Sequence, residues 1–398
     1  LTASLAVNIG ILGFFKYYNF FAESFVSAFT LFGQDFEPAR LTVILPIGIS
    51  FYTFQTMSYS IDVYRRKLEP EKNVISFFSF VSFFPQLVAG PIERATHLLP
   101  QFRKERIFDN DKASDGLRQI LWGLSKKMIV ADQCAIFVNE VFGSHAEYSG
   151  LTLLFAAILF AIQIYCDFSG YSDIAIGTAR LFGFNLTQNF AFPLFSRDIA
   201  EFWRRWHITL FNWCKDYIYI PLGGSRKGKG RQLLYVLIAY GTLGFWHGAN
   251  FTFVLFGFLH GFAYMFLVLI KAPKKVGIIG QGQLLPSFRE ILQMLVTFVF
   301  FFTTLIIFRS DSIQDAFLFY QNMFSADLFK LPAEIPRKSL LLAVSCITIE
   351  WFQRDKKHAL EIITNKTPVV VRYGVYYFLI YGILLYGFNQ AEFIYFQF

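Results

Sequence analysis

Apolar runs alternate along this chain with short basic loops. Leu1–Phe15 is the first run, and Leu41–Tyr59 is the second, closed by Arg65-Arg66-Lys67. Val74–Ile92 is interrupted by Phe84-Pro85 and Gly90-Pro91 and has basic residues on both flanks, with Arg103, Lys104 and Arg106 on the far side. That pattern predicts re-entry rather than crossing. Gly116–Phe142 carries Lys126, Lys127 and Asp132 and reads as an amphipathic or partly interfacial helix. Leu151–Tyr165 is a strong span that ends on the polar cluster Asp167-Phe-Ser169-Gly-Tyr171-Ser172-Asp173. Ser196 is positioned to cap a helix running toward Pro221, on which Trp203, His207, Leu210, Phe211 and Cys214 share one face.

The clearest topological signal lies between Arg226-Lys227-Gly-Lys229-Gly-Arg231 and Lys271-Ala-Pro-Lys274-Lys275. Both basic loops belong on the cytoplasmic side, so the residues between them form a hairpin of two apolar arms. Gln232 to Trp246 rises roughly 22 Å at 1.5 Å per residue, short of a hydrocarbon core about 30 Å thick. His247 therefore falls within the membrane, displaced toward the outer leaflet, where Gly248 and Asn250 supply turn chemistry. Ile291–Phe308 then runs outward, and Ser310–Pro336, with Asp311, Asp315, Asp327 and Glu334, is expected outside. Ser339–Phe352 returns to Arg354-Asp-Lys356-Lys357, and Tyr373–Phe388 crosses out again.

Composition sharpens this picture. The apolar fraction is 55% and charged residues are only 16%, against roughly a quarter charged in a soluble domain. The fold class is an all-α, polytopic transmembrane bundle with re-entrant and interfacial helices, and residues 1–398 are expected to form one domain with no soluble module. The net charge of +8 sits in loops beside apolar segments, which points to anionic lipid headgroups rather than nucleic acid. Cys134, Cys166, Cys214 and Cys346 lack metal-like spacing and read as buried free thiols. The chain begins at Leu1 without the basic n-region or cleavage site of a signal peptide, and earlier spans are expected to precede it.

Two histidines carry the candidate chemistry: His207 in Glu201-Phe-Trp-Arg-Arg-Trp-His-Ile-Thr, and His247 in Gly244-Phe-Trp-His-Gly-Ala-Asn250. An ionisable side chain at bilayer depth is functional by default, although a neutral imidazole bonded to a neighbouring helix is the plain alternative. His97, His145 and His358 lie in polar stretches and read as solvated. His260, about 13 residues and some 20 Å beyond His247 along the second arm, is the decoy. Asp167 and Asp173 are too costly to be idle. They orient a histidine, pair with Arg204 or Arg205, or cap a helix. Phosphate-binding, dinucleotide, zinc-protease and serine-elbow motifs are all missing from the sequence. Paired histidines without such a motif suit acyl transfer to a hydroxyl, in which a base removes the proton as oxygen attacks an activated carbonyl.

Several ordered motifs then carry a resemblance. Gln163-Ile-Tyr-Cys-Asp-Phe-Ser-Gly-Tyr-Ser-Asp-Ile-Ala-Ile-Gly177, Phe202-Trp-Arg-Arg-Trp-His-Ile-Thr209, Asp216-Tyr-Ile-Tyr-Ile-Pro-Leu-Gly-Gly224 and Trp246-His-Gly-Ala249 together resemble the bacterial membrane-bound O-acyltransferase family. Phe15–Phe20, Pro85–Ile92 and the closing Glu392–Phe398 resemble the same branch, that of alginate O-acetylation and teichoic acid D-alanylation. The resemblance implies helices ringing a thinned centre reached from both faces. It puts the principal active-site histidine on His247 and the second on His207. It also implies an acyl donor such as acetyl-CoA as cosubstrate with no bound cofactor or metal. The implied partners are a polysaccharide acceptor, membrane lipids and an extracytoplasmic acetyltransferase of the serine-hydrolase type, in a bacterial inner membrane.

On this reading His247 is general base or transient acyl carrier, and His207 positions the acyl carbonyl or stabilises negative charge. Trp206, Trp246 and Asn250 line the substrate site, with Asp167 and Asp173 fixing the helices around it. D-alanyl transfer is the alternative within the enzyme class. Outside it stand a histidine-dependent transporter and a scaffold that only recruits an extracytoplasmic enzyme.

Overall fold

The computed structural model describes residues 1–30, 40–42, 46, 48–87, 90–272, 277–280, 282–330, 332, 335–364, 366–387 and 391–394. Parts of the Leu41–Tyr59 and Pro85–Ile92 stretches, Lys274, Lys275, Glu334, Phe388 and the residues after Ile394 lie outside them. Among the described residues the regular structure is helical, with no strand. The first run is α1 (Thr2–Leu12), which continues through a wider π-type turn at Gly13–Tyr17 into α2 (Tyr18–Thr30). Next comes α3 (Ile49–Tyr64). The interrupted stretch breaks as its prolines predict, into α4 (Val74–Val81) and the single turn α5 (Phe84–Leu87), before α6 (Ala95–Arg103).

The expectation of an interfacial helix at Gly116–Phe142 is corrected. One helical course runs from α7 (Asn110–Leu124) through a π-type turn at Ser125–Ala131 into α8 (Asp132–Gly143), and Lys126 and Lys127 are buried in it. It packs along α9 (Gly150–Leu181), which also corrects the expected span end. The polar cluster 167–173 lies inside the continuous helix rather than after it. The two lysines sit where they do because α9 supplies their counter-charges. Lys126 Nζ is 2.6 Å from Asp173 and donates to Ser169 Oγ at 2.9 Å. Lys127 Nζ is 2.9 Å from Asp167 and 2.8 Å from Asp132.

Glycines allow that approach. A Cβ added at Gly116 would lie 2.7 Å from the Gly177 carbonyl oxygen, and one at Gly123 would lie 2.5 Å from that of Gly170. Without a hydrophobic force between helices in lipid, such backbone contact is the main source of their association. Gly170→Leu is therefore expected to part the two helices. A loss of the monodisperse peak in detergent size-exclusion chromatography would report it, and an unchanged peak would refute it.

The helix expected from Ser196 to Pro221 is also corrected. The cap is Asp198, whose Oδ1 accepts from Glu201 N at 2.7 Å, and α10 (Ile199–Arg205) is only seven residues long. The chain then breaks at Trp206-His207 before α11 (Ile208–Cys214), a π-type turn and α12 (Ile220–Leu222). The cause is the irregular segment 189–191. It intercepts backbone groups on both sides of the break, with Ala191 N donating to Arg205 O and Ile208 N to Asn189 O, both at 2.9 Å. The shared face proposed for Trp203 and His207 therefore does not exist as a helical stripe.

The hairpin is present as predicted, in α13 (Lys229–His247) and α14 (Phe251–Leu269). Beyond it lie α15 (Phe288–Arg309), α16 (Ile313–Met323) within the stretch expected outside, α17 (Arg337–Phe352) and α18 (Val369–Tyr386). Among the described residues α9, α14, α15 and α18 are long and apolar enough to cross a membrane. The four cysteines are buried and free.

Candidate active site

His247 is the last residue of α13, where the helix leaves backbone carbonyls without intrahelical partners. Lys16 reaches across from the first helical run and donates to Trp246 O at 3.0 Å and His247 O at 2.9 Å. A cation at a helix C-terminus is favoured by the macrodipole as well as by these bonds. Tyr17 adds a bond to Phe245 O at 2.9 Å. Lys16 belongs to a motif flagged in the sequence, but its role was not legible there because its contacts lie some 230 residues away. The imidazole itself is buried, with the Phe308 ring 5.1 Å from it.

His207 occupies the break between α10 and α11 with φ of 42°, a left-handed conformation that costs a non-glycine residue roughly 1–3 kcal/mol. Its side chain is fully buried, and Nδ1 lies 3.1 Å from Asn189 Oδ1. Phe168 meets it edge to face at 4.7 Å.

The two histidines converge on one indole. The Trp246 ring centroid is 5.8 Å from that of His207 and 5.2 Å from that of His247. The other expected site residues divide. Trp206 is packed among Phe190, Phe202 and Phe301 at centroid distances of 5.2, 5.4 and 5.0 Å. Asn250 caps α14 by accepting from Thr252 N and donates to Asp311 O at 2.8 Å, so its polar atoms hold the turn. Asp167 and Asp173 pair with the lysines of α7–α8, not with Arg204 or Arg205. Arg205 pairs instead with Glu201.

The remaining histidines are accounted for by their neighbours. His260 accepts from Trp203 Nε1 at 3.1 Å and lies 3.0 Å from Thr304 Oγ1, a satisfied core residue. His358 was expected to be solvated and is instead buried, 3.1 Å from Asp115. His145 is largely buried against Asp315 at 2.9 Å, also contrary to expectation. His97 is half-exposed, and its bond to Glu93 raises its pKa above the ordinary value.

A cavity of about 400 Å³ approaches the centre along α13. Val236, Ala239, Tyr240 and Leu243 line it at helical spacing, and Leu243 is one turn before His247. Arg204, Lys215 and Tyr219 line the cavity as well.

The molecule is thus a helical membrane protein with two buried histidines packed on one indole, and Leu243, a residue that lines a cavity along α13, precedes one of them by one helical turn. The chain belongs to the membrane-bound O-acyltransferase family, whose pattern matches residues 69–272. It is 40% identical over 359 residues to the "Probable alginate O-acetylase AlgI" of Pseudomonas syringae pv. tomato, covering 88% of this chain and 66% of that protein. It is 38% identical over 379 residues to the protein of the same name from Pseudomonas putida, covering 93% and 75%. The peptidoglycan O-acetyltransferase of Helicobacter pylori is 34% identical over 350 residues, covering 81% and 64%. The chain thus spans roughly two thirds to three quarters of these relatives.

Proposed function

We propose that this chain is the membrane-embedded acyl-transfer component of a polysaccharide O-acetylation system, a multi-pass protein of the bacterial inner membrane. The observation that carries the reading is the convergence of His207 and His247 on Trp246, with the cavity-lining Leu243 one helical turn before His247. The names of the similar proteins support an O-acetyl group as cargo.

In the mechanism, an acceptor hydroxyl attacks the carbonyl of an acetyl thioester such as acetyl-CoA. The C–O bond forms, the C–S bond breaks, and the hydroxyl proton passes to His247 and from there to the departing sulfur. His207 holds the carbonyl. The acceptor at the outer face hands the acetyl group to an extracytoplasmic acetyltransferase of the serine-hydrolase type, which modifies the polysaccharide, alginate by the relatives' names.

Mass spectrometry of cell-surface polysaccharide with and without this chain tests the reading. Acetyl groups that persist without it would overturn the proposal, as would solute transport with no acetyl transfer. A second expectation concerns the cavity. Leu243→Trp adds bulk to the cavity wall one helical turn from His247 and is expected to raise the KM for the donor on the order of tenfold, with a smaller effect on kcat. Steady-state kinetics in proteoliposomes would measure this, and an unchanged KM would exclude the cavity as the donor's route.

A further inference from the structure

We propose that Asn189 is the positioning residue of this centre: it fixes His207 as the tautomer that carries its proton on Nδ1 and directs Nε2 toward the reaction. This rests on His207 having a role in acyl transfer, as proposed above. Asn189 is wholly buried and precedes the break in sequence by 18 residues. Its side-chain oxygen accepts from Thr209 Oγ1 at 2.9 Å and from the Thr209 backbone N–H at 3.4 Å. Its amide nitrogen donates to Ser172 Oγ on α9 at 3.1 Å. Thr209 Oγ1 is held in turn by the Ile92 N–H at 3.0 Å.

These bonds settle which end of the amide faces the imidazole. A backbone N–H only donates, so the atom beside Thr209 is the oxygen, and that same oxygen lies 3.1 Å from His207 Nδ1. An amide oxygen only accepts, so Nδ1 bears the hydrogen and Nε2 keeps its lone pair. The second ring nitrogen's bond is what sets a histidine's tautomer in metal and catalytic sites alike. Asn189 also accepts from Ile208 N through its backbone oxygen, so one residue holds both the break in the helix and the ring it presents. A neutral amide does this without placing an uncompensated carboxylate beside a wholly buried imidazole.

The test uses the full chain, ¹⁵N-labelled on histidine and reconstituted in nanodiscs, with the His207 resonances assigned by their loss in His207→Gln. The nitrogen shifts of the wild type are expected to show Nδ1 protonated, and Asn189→Leu or Asn189→Ala to lose that bias. In proteoliposome assays the same variants are expected to lower kcat by about 10–100-fold with the donor KM little changed. Asn189→Asp keeps the acceptor for Nδ1, loses the donor to Ser172 and brings in a buried charge, so it is expected to keep Nδ1 protonated and to give a kcat between those of Asn189→Leu and the wild type. A purely structural role predicts instead that Asp and Leu fail equally, because both drop the Ser172 bond. Equal failure, wild-type kcat in Asn189→Leu, or an unchanged tautomer would each overturn the proposal. If neither apolar variant accumulates, the wild-type spectrum decides alone, since a His207 ring protonated on Nε2 refutes it. The tautomer is read without substrate, so it stands or falls separately from acyl transfer itself.

Discussion

His247→Ala is expected to abolish acetyl transfer while leaving a folded, membrane-inserted protein. A positioned acid–base group contributes typically about 10²–10⁴-fold in rate, and removing it at the point of proton transfer forfeits that whole factor. The fold should survive because Lys16 anchors this helix end through the backbone oxygens of Trp246 and His247, which alanine retains. The tight α13–α14 approach, where a Cβ added at Gly244 would lie 3.0 Å from Gly257 Cα, is also untouched. The measurements are acetyl content of the polysaccharide by mass spectrometry and elution of the purified variant by size exclusion. Wild-type acetylation would end the assignment of His247. A collapsed elution profile would show that the ring is needed for packing.

Lys126→Met is expected to be among the most destabilising single changes in the molecule. Lys126 is buried, with Asp173 2.6 Å away and Glu350 3.8 Å away. Asp173 also accepts from Gln119, and Glu350 from the Tyr165 hydroxyl, both at 2.7 Å. Methionine would leave the buried Glu350 and the largely buried Asp173 without their cation, and breaking a buried pair from one side costs about 3–5 kcal/mol. The drop should appear as a lower thermal midpoint in detergent. The triple variant Lys126→Met, Asp173→Asn, Glu350→Gln removes all three charges and is expected to regain much of the loss, because the penalty lies in the orphaned charge. If the triple variant is no more stable than Lys126→Met, lost packing rather than charge is responsible.

The contrast between these two residues shows where sequence reasoning reached. His247 stood out because an imidazole interrupts an apolar run, and a depth argument needs only the rise per residue. Lys126 reads in the sequence as part of an amphipathic or partly interfacial helix, because a lysine in an apolar frame shows its charge there but not its partner. Its counter-charge lies 47 residues away on another helix, and nothing in a one-dimensional pattern pairs the two. The same holds for His358, whose polar stretch folds back against Asp115, 243 residues distant. His207 stands out in the sequence, but its setting is not visible there. The helical period ran unbroken through it, while the backbone that ends the helix comes from residues 189–191.

Hydropathy, basic loops and the two histidine motifs, all of them local, were enough to establish a helical membrane protein, its hairpin between the basic loops, and the residues worth suspecting. Only the packed structure brought His207 and His247 to the same indole, turned the polar cluster of α9 into ion pairs, and put Asn189 and Lys16 behind the two histidines. Each of those outcomes depends on contacts between distant segments, and inside a bilayer such contacts are set by which backbones can approach closely and which buried charges find partners.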